Sequence, residues 1–148
     1  MSFSKSVYHI VFSTKDRANT IHQDKERIVY KILYDIMKKK GAFVYRIGGM
    51  PDHIHILVDI TPNYSLSDFV KTVKQESSYL IGNNENFPHW NGWQNGFAGF
   101  SYSANNIPIV EKYIINQKEH HKKVSFIDEY RDWLIEMGVS PDAPFFPK

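Results

Sequence analysis

The sequence predicts an α+β fold: a ferredoxin-like sandwich in which an antiparallel four-stranded sheet carries two helices on one face. Three observations point to it. The order of elements is strand, helix, strand, hairpin strand, helix, strand, the split β-α-β signature. The row Ile54, Ile56, Val58, Ile60 is apolar at every second position, so one sheet face must meet the helices. The length of 148 residues suits one domain spanning 1–148, with 137–148 as an extended tail.

The first strand is expected over Val7 to Thr14, with Tyr8, Ile10 and Phe12 on one face and Val7, His9, Val11 and Ser13 on the other. Polar residues Lys15 to Thr20 form a loop. From Asp24 to Lys40 the period becomes helical, with Ile28, Ile32, Leu33, Ile36 and Met37 in one stripe. Lys38, Lys39 and Lys40 complement the negative helix end, and Gly41 stops it. Phe43, Tyr45 and Ile47 alternate in a second strand, closed by the turn Gly48 to Asp52, and His53 to Ile60 is the third strand. A second helix runs from Ser65 to Ile81, with Ser65 as its cap and Phe69, Val70, Val73, Leu80 and Ile81 as its stripe. After an irregular stretch from Gly82 to Gly96, Phe97 to Ser103 reads as a fourth strand. Two helices follow, Ile107–Lys122 opened by Pro108 and Phe126–Met137 ended by Gly138. Prolines 141, 144 and 147 make the end extended.

Composition narrows the chemistry. There are no cysteines, which excludes disulfide scaffolds and thiolate zinc sites and suits a reducing cytoplasm. The start of the chain does not resemble a signal peptide, and no apolar run approaches the ~20 residues needed to span a bilayer. A (β/α)8 barrel would need about 250 residues. Eighteen Lys and Arg against sixteen Asp and Glu leave a formal charge of only +2, a faint sign of a polyanionic partner. Seven histidines and 15% aromatic residues are more informative.

His53 and His55 flank Ile54 on a strand, so their imidazoles share a face with Cα atoms about 6.5–7 Å apart, close enough to converge on one ion. In a ferredoxin-like order the first and third strands are neighbours. His9 would then join them on an open sheet face, provided that Tyr8, Ile10 and Phe12 turn toward the helices. On the helix Ile107–Lys122, Tyr113 and Gln117 stand four residues apart on one face, bordered by Asn116 and His120. Ile109, Val110, Ile114 and Ile115 already supply packing there. Two readings stay open: a tyrosine packed on the body beside an exposed glutamine, or a nucleophile beside an oxygen ligand for a histidine-bound ion. In the second, the ion would polarise a scissile phosphate, and the ester formed on tyrosine would keep the bond energy needed to reseal the strand.

The ordered set Tyr8-His9-Ile10-Val11-Phe12-Ser13-Thr14-Lys15, Asp52-His53-Ile54-His55-Ile56-Leu57, Trp93-Gln94-Asn95-Gly96-Phe97 and Tyr113-Ile114-Ile115-Asn116-Gln117-Lys118-Glu119-His120-His121 resembles a known family over nearly the whole chain. It is similar to the single-tyrosine transposases of the HUH endonuclease superfamily, which act on single-stranded DNA, and to their REP-associated tyrosine transposase relatives. The resemblance implies His53, His55 and Gln117 as ligands of Mg²⁺ or Mn²⁺, and Tyr113 as the nucleophile joined to a DNA 5′ phosphate. His9, Asn116 and His120 would be supporting neighbours. It further implies a cytoplasmic, nucleoid-associated homodimer that recognises DNA hairpins, with an active site that in some members is shared between subunits.

Lys15, Arg17, Lys71, Lys74, Lys112 and Lys118 are candidate phosphate contacts, each more readily read as solvated surface. Trp90 and Trp93 are candidates either for base stacking or for packing. Two other functions remain open on the residues alone: a non-catalytic single-stranded nucleic-acid-binding module, and a metal phosphodiesterase that uses water.

Overall fold

The computed structural model describes residues 3–144 and 146. The chain forms two compact units, Met1–Ile115 and Asn116–Lys148. The first holds strands β1 (Val7–Ser13), β2 (Phe43–Met50), β3 (His53–Asp59) and β4 (Ala98–Ser101), with helices α1 (Glu26–Lys39), α2 (Leu66–Gly82) and α3 (Ile107–Ile115). The sheet is antiparallel in the order β2-β3-β1-β4, so β1 and β3 are the central pair of a ferredoxin-like arrangement. The end of the expected C-terminal tail, residues 145, 147 and 148, lies outside the described residues.

Between the sheet and helices α1 and α2 lies the larger core, with Ile10, Phe12, Ile54, Ile56, Val58, Leu33, Met37, Phe69 and Val73 buried in it. The sequence stripes hold with two local differences. Val29 is fully buried on α1, while Ile28 and Ile32 pack at its margin. On α2 the inward position is Ser77 rather than Leu80, which is 46% exposed. Ser65 caps α2 as expected, its Oγ accepting the Asp68 N–H at 3.1 Å.

Strand β2 runs three residues farther than its alternation suggests. Gly48, Gly49 and Met50 pair with His55, Ile54 and His53, and only Pro51 and Asp52 make the turn. Both glycines are strand residues for a steric reason. A Cβ on Gly49 would strike the backbone of His53, and one on Gly48 would stand 2.8 Å from Ile114 Cγ2 and 3.0 Å from the Ile114 carbonyl oxygen. A shift in register between Val44 and Arg46 also breaks the expected alternation of Tyr45 with Ile47. Tyr45 packs on the second sheet face, whereas Val44 and Ile47 join the α1/α2 core.

That second face is not open, as the sequence suggested, but covered by α3. Ile107, Val110 and Ile114 pack on Val7 and Leu57, with Tyr45, Tyr102 and Tyr113 at the margin. Ile109 and Ile115, expected to supply packing, are 67% and 53% exposed, because the buried positions of α3 fall at 107, 110 and 114. The close approach of α3 rests on the missing side chain of Gly48.

The expected helix Ile107–Lys122 is divided. After α3, Asn116 takes φ −90° and ψ 13°, and a short helix α4 (Gln117–His120) follows. Asparagine is a poor helix-interior residue and readily occupies the region near ψ 0°. The four-residue spacing of Tyr113 and Gln117 is therefore not a spacing along one helix. The second unit comprises α4 and α5 (Phe126–Glu136). Ser125 caps α5 through the Asp128 N–H at 3.2 Å, and Gly138, at φ 89°, ends it.

Substituting Gly48→Ala should lower stability by about 1–3 kcal/mol, because its methyl meets Ile114 backbone as well as side chain. Urea unfolding measures this; an unchanged midpoint would show that α3 is free to lift from β2.

Candidate active site and nucleic-acid groove

The histidine site is built by strand register. Opposite His53 on β1 is Ser13, opposite His55 is Val11, and opposite Leu57 is His9, all on the face turned toward α3. His9, His53 and His55 are all buried. The Pro51-Asp52 turn delivers a carboxylate to the first of them: His53 Nδ1 lies 2.7 Å from Asp52 Oδ1. His55 Nδ1 shares a hydrogen bond with His9 Nε2 at 2.8 Å.

These contacts are compatible with one useful tautomer. If both strand histidines donate from Nδ1, to Asp52 and to His9, each Nε2 carries the lone pair that a cation takes. A carboxylate and a third imidazole behind a pair of imidazoles is an arrangement that can orient metal ligands. The residues present thus fit a divalent ion on the Nε2 atoms of His53 and His55. Tyr113, on α3, completes the cluster: its ring centroid stands 5.8 Å from that of His55 and 6.1 Å from that of His9. Tyr102 lies 6.3 Å from His9 on the same face.

The candidate lysines separate. Lys15, Lys71 and Lys74 line one groove of about 860 Å³ between the end of β1, α2 and the segment Asn91–Phe97. Asp16 is the one acid among its lining residues, and Asn91, Gln94, Asn95 and Phe97 supply amides and a ring. Arg17 is exposed on the adjoining turn, and Lys112 is exposed on α3. The turn carries local strain, since Asp16 and Arg17 both adopt left-handed backbone, at φ 57° and 54°. Such conformations cost roughly 1–2 kcal/mol per residue. The Gln94 side chain supports the turn by accepting the Asp16 N–H at 2.9 Å.

Trp90 and Trp93 are partly buried and pack on the α1/α2 core, and Trp93 also lines the groove. Trp93 packs edge-on against Phe12 at 4.8 Å and Trp90 at 4.7 Å. On α2, Ser77 Oγ accepts the Trp93 Nε1–H at 2.9 Å and Ser78 Oγ the Trp90 Nε1–H at 3.2 Å. Partly buried indole N–H groups usually find such an acceptor, and Ser77, buried on α2, is one.

The second unit has a polar cluster of its own. Glu129, buried on α5, draws in three side chains at Oε2: Gln117 Nε2 donates at 3.4 Å, and His120 and His121 Nε2 lie 3.0 and 3.1 Å away. Gln117 is buried, Lys118 and His120 are half-buried, and Asn116 is exposed. The sequence reading gave roles to Gln117, Asn116 and His120 but none to His121, Glu129 or Asp52. Glu129 had a signal: it interrupts the apolar stripe Phe126, Tyr130, Trp133, Leu134. Asp52 had only its position before His53.

Comparison with known proteins gives the class, the DNA transposases. The chain belongs to the IS200-like transposase family, whose model, "Transposase IS200 like", matches residues 2–117. It is 28% identical over 117 residues to the ISDra2 transposase TnpA of Deinococcus radiodurans, covering 76% of this chain and 84% of that protein. It is 35% identical over 74 residues to the transposase for insertion sequence element IS200 of Salmonella typhimurium, covering 50% of this chain and 49% of that one. The fold also matches the structure of a REP-associated tyrosine transposase bound to a REP hairpin, with a TM-score of 0.62 and 12% identity over 84% of this chain and 73% of that chain. Among the described residues, no helix is long and apolar enough to cross a membrane.

Asp52→Ala should weaken Mn²⁺ binding by about 10–100-fold by releasing the His53 ring. Titration followed by the electron paramagnetic resonance of free Mn²⁺ reads this without any turnover; unaltered affinity would deny Asp52 a part in the site.

Proposed function

We propose that this transposase cleaves and rejoins single-stranded DNA by transesterification through Tyr113, with a covalent 5′-phosphotyrosine between the two steps. The observation that supports this most directly is the position of the Tyr113 ring, 5.8 Å from His55 on the face where the histidines gather. In the forward step Tyr113 Oη bonds to phosphorus, the bond to the 3′ oxygen breaks, the phenolic proton is lost and the departing strand gains a 3′ hydroxyl. Reversal by another 3′ hydroxyl restores a phosphodiester without ATP, because one phosphate ester replaces another.

His53 and His55 hold the divalent ion, Mg²⁺ or Mn²⁺, and Gln117 is its third ligand by the Tyr-x-x-x-Gln motif. When bound, the ion supplies Lewis acidity at a phosphate oxygen. Asp52 and His9 keep the two imidazoles in their ligating tautomer. The packing of α3 on β2, allowed by Gly48, keeps the phenol beside them and limits water at the reacting face.

DNA is held by patches rather than by net charge. Lys15 and Lys71 meet phosphates along the groove, with Arg17 at its margin and Lys112 and Lys118 nearer Tyr113 in the sequence. The structural relative solved with a REP hairpin supports hairpin-bearing single strands as the substrate form. The working unit is a homodimer, acting in the cytoplasm on nucleoid DNA.

With Mn²⁺ and a pool of hairpin-bearing single-stranded oligonucleotides, the protein should form an adduct that survives a denaturing gel. Tyr113→Phe should abolish that adduct. Cleavage that persists in the variant would instead identify a water-using phosphodiesterase, and binding without cleavage by the unaltered protein a binding module. His53→Ala should reduce cleavage to background with an unchanged circular dichroism spectrum; an undiminished rate would overturn the metal assignment.

A further inference from the structure

Lys71 and Lys74 lie on the same helix and line the same groove, yet their ammonium groups are used differently. Lys71 is exposed. Lys74 Nζ donates to the Gln94 carbonyl at 2.6 Å and to the Gly96 carbonyl at 2.7 Å, committing two of its three N–H groups. It also stands 5.6 Å from the centroid of the Phe12 ring. Half-burial at this site lowers its pKa below the usual lysine value, the mark of an ammonium drawn out of water. Swinging Lys74 out to a phosphate would leave two carbonyls without their charged donor.

The segment that it holds has little regular structure. It lies between Gly92 and Gly96, both in left-handed backbone at φ 96° and 85°. Its first half is sewn to the end of β1. The Lys15 N–H donates to Gly92 O, the Gln94 N–H to Ser13 O, both at 2.9 Å, and the Asp16 N–H to Gln94 Oε1. Lys74 supplies the attachment on the opposite side, to α2. Between the two carbonyls that face Lys74, the exposed Asn95 side chain lines the groove, with Asn91 before it and Phe97 after it.

We propose that Lys74 is a positioning residue for nucleic-acid recognition. It latches Gln94–Gly96 to α2, so that Asn91, Asn95 and Phe97 form a fixed wall facing the bases of a single strand whose phosphates run along Lys15 and Lys71. Amides offer both donors and acceptors to unpaired base edges, and a half-exposed ring offers a stacking surface. Three lysines against one acid give the groove the sign that a polyanion needs. The inference rests on the groove being a DNA site, as proposed above.

The test uses fluorescence anisotropy of the full chain with a labelled random-sequence single strand of about 20 nucleotides, across a salt series, with hydrogen exchange on the free protein. Each phosphate contact on a single strand contributes about 0.7 to the slope of log K against log salt. Lys71→Ala and Lys15→Ala should each reduce the slope by about that amount. Lys74→Met should weaken binding about tenfold with the slope unchanged, and should speed amide exchange in residues 92–98. Lys74→Gln, neutral but still a donor, should keep the slope and restore much of the protection. The latch is overturned if Lys74→Gln, or both variants, loses about 0.7 of slope while exchange in 92–98 stays as in the unaltered protein. If Lys74→Met does not fold, the slope and exchange of Lys74→Gln decide alone. A slope indifferent to both Lys15→Ala and Lys71→Ala would instead remove the groove from the DNA-binding surface.

Discussion

Everything at the histidine site follows from the register of β1 against β3. Side chains alternate along a strand, so the pairing that sets Val11 opposite His55 and His9 opposite Leu57 decides which residues share the α3 face. In this register the bulky row Ile54, Ile56 and Val58 enters the α1/α2 core together with Ile10 and Phe12. A slip of one residue would send the imidazoles of one strand into that core and leave its apolar side chains outside. The hydrophobic cost of that exchange, of order 1.5–3 kcal/mol for each large side chain, holds the histidines in place. Hydrogen bonds among the imidazoles refine the site but do not create it.

The second sheet face shows how a small domain makes room for chemistry. Packing α3 directly on the sheet would cover every side chain there if the contact were even. Over Gly48, α3 approaches closely, with Ile114 against bare backbone, and Val7 and Leu57 take part in the remaining apolar contact. Tyr113, one residue before Ile114, then stands beside the imidazoles. A glycine in a strand weakens it locally, and here that cost accompanies a close approach on which the position of the tyrosine depends.

Away from this face, the groove between the end of β1 and α2 shows why a formal charge of +2 says so little. Its lysines differ in what they do. One is exposed on α2, one follows the strand, and one is turned inward to fasten a loop. The strained turn at Asp16 and Arg17 and the loop before β4 support each other through Gln94. Such strain persists where neighbouring structure over-determines it, and it is often found where a ligand is met.

Much of this was legible in one dimension. The alternation of Ile54, Ile56, Val58 and Ile60 fixed the faces of β3, the Ser65 cap opened α2, and the element order gave the sheet topology with β1 and β3 central, so that His9 could be placed with His53 and His55. These features depend on period and on neighbouring residues, which a sequence carries in full. Less visible were the continuation of β2 through Gly48 and Gly49, the bulge at Tyr45, the break at Asn116, the packing of Trp90 and Trp93 on α2, the inward use of Lys74, and the gathering of Gln117, His120 and His121 on Glu129. Several are decided by an atom distant in the chain: Ile114 over Gly48, Ser77 beneath Trp93, the Gln94 and Gly96 carbonyls before Lys74. The sequence by itself determined which residue types share a face of β1 and of β3. Only the tertiary structure decided which of them meet, because close packing and hydrogen-bond geometry are settled between elements and not within them.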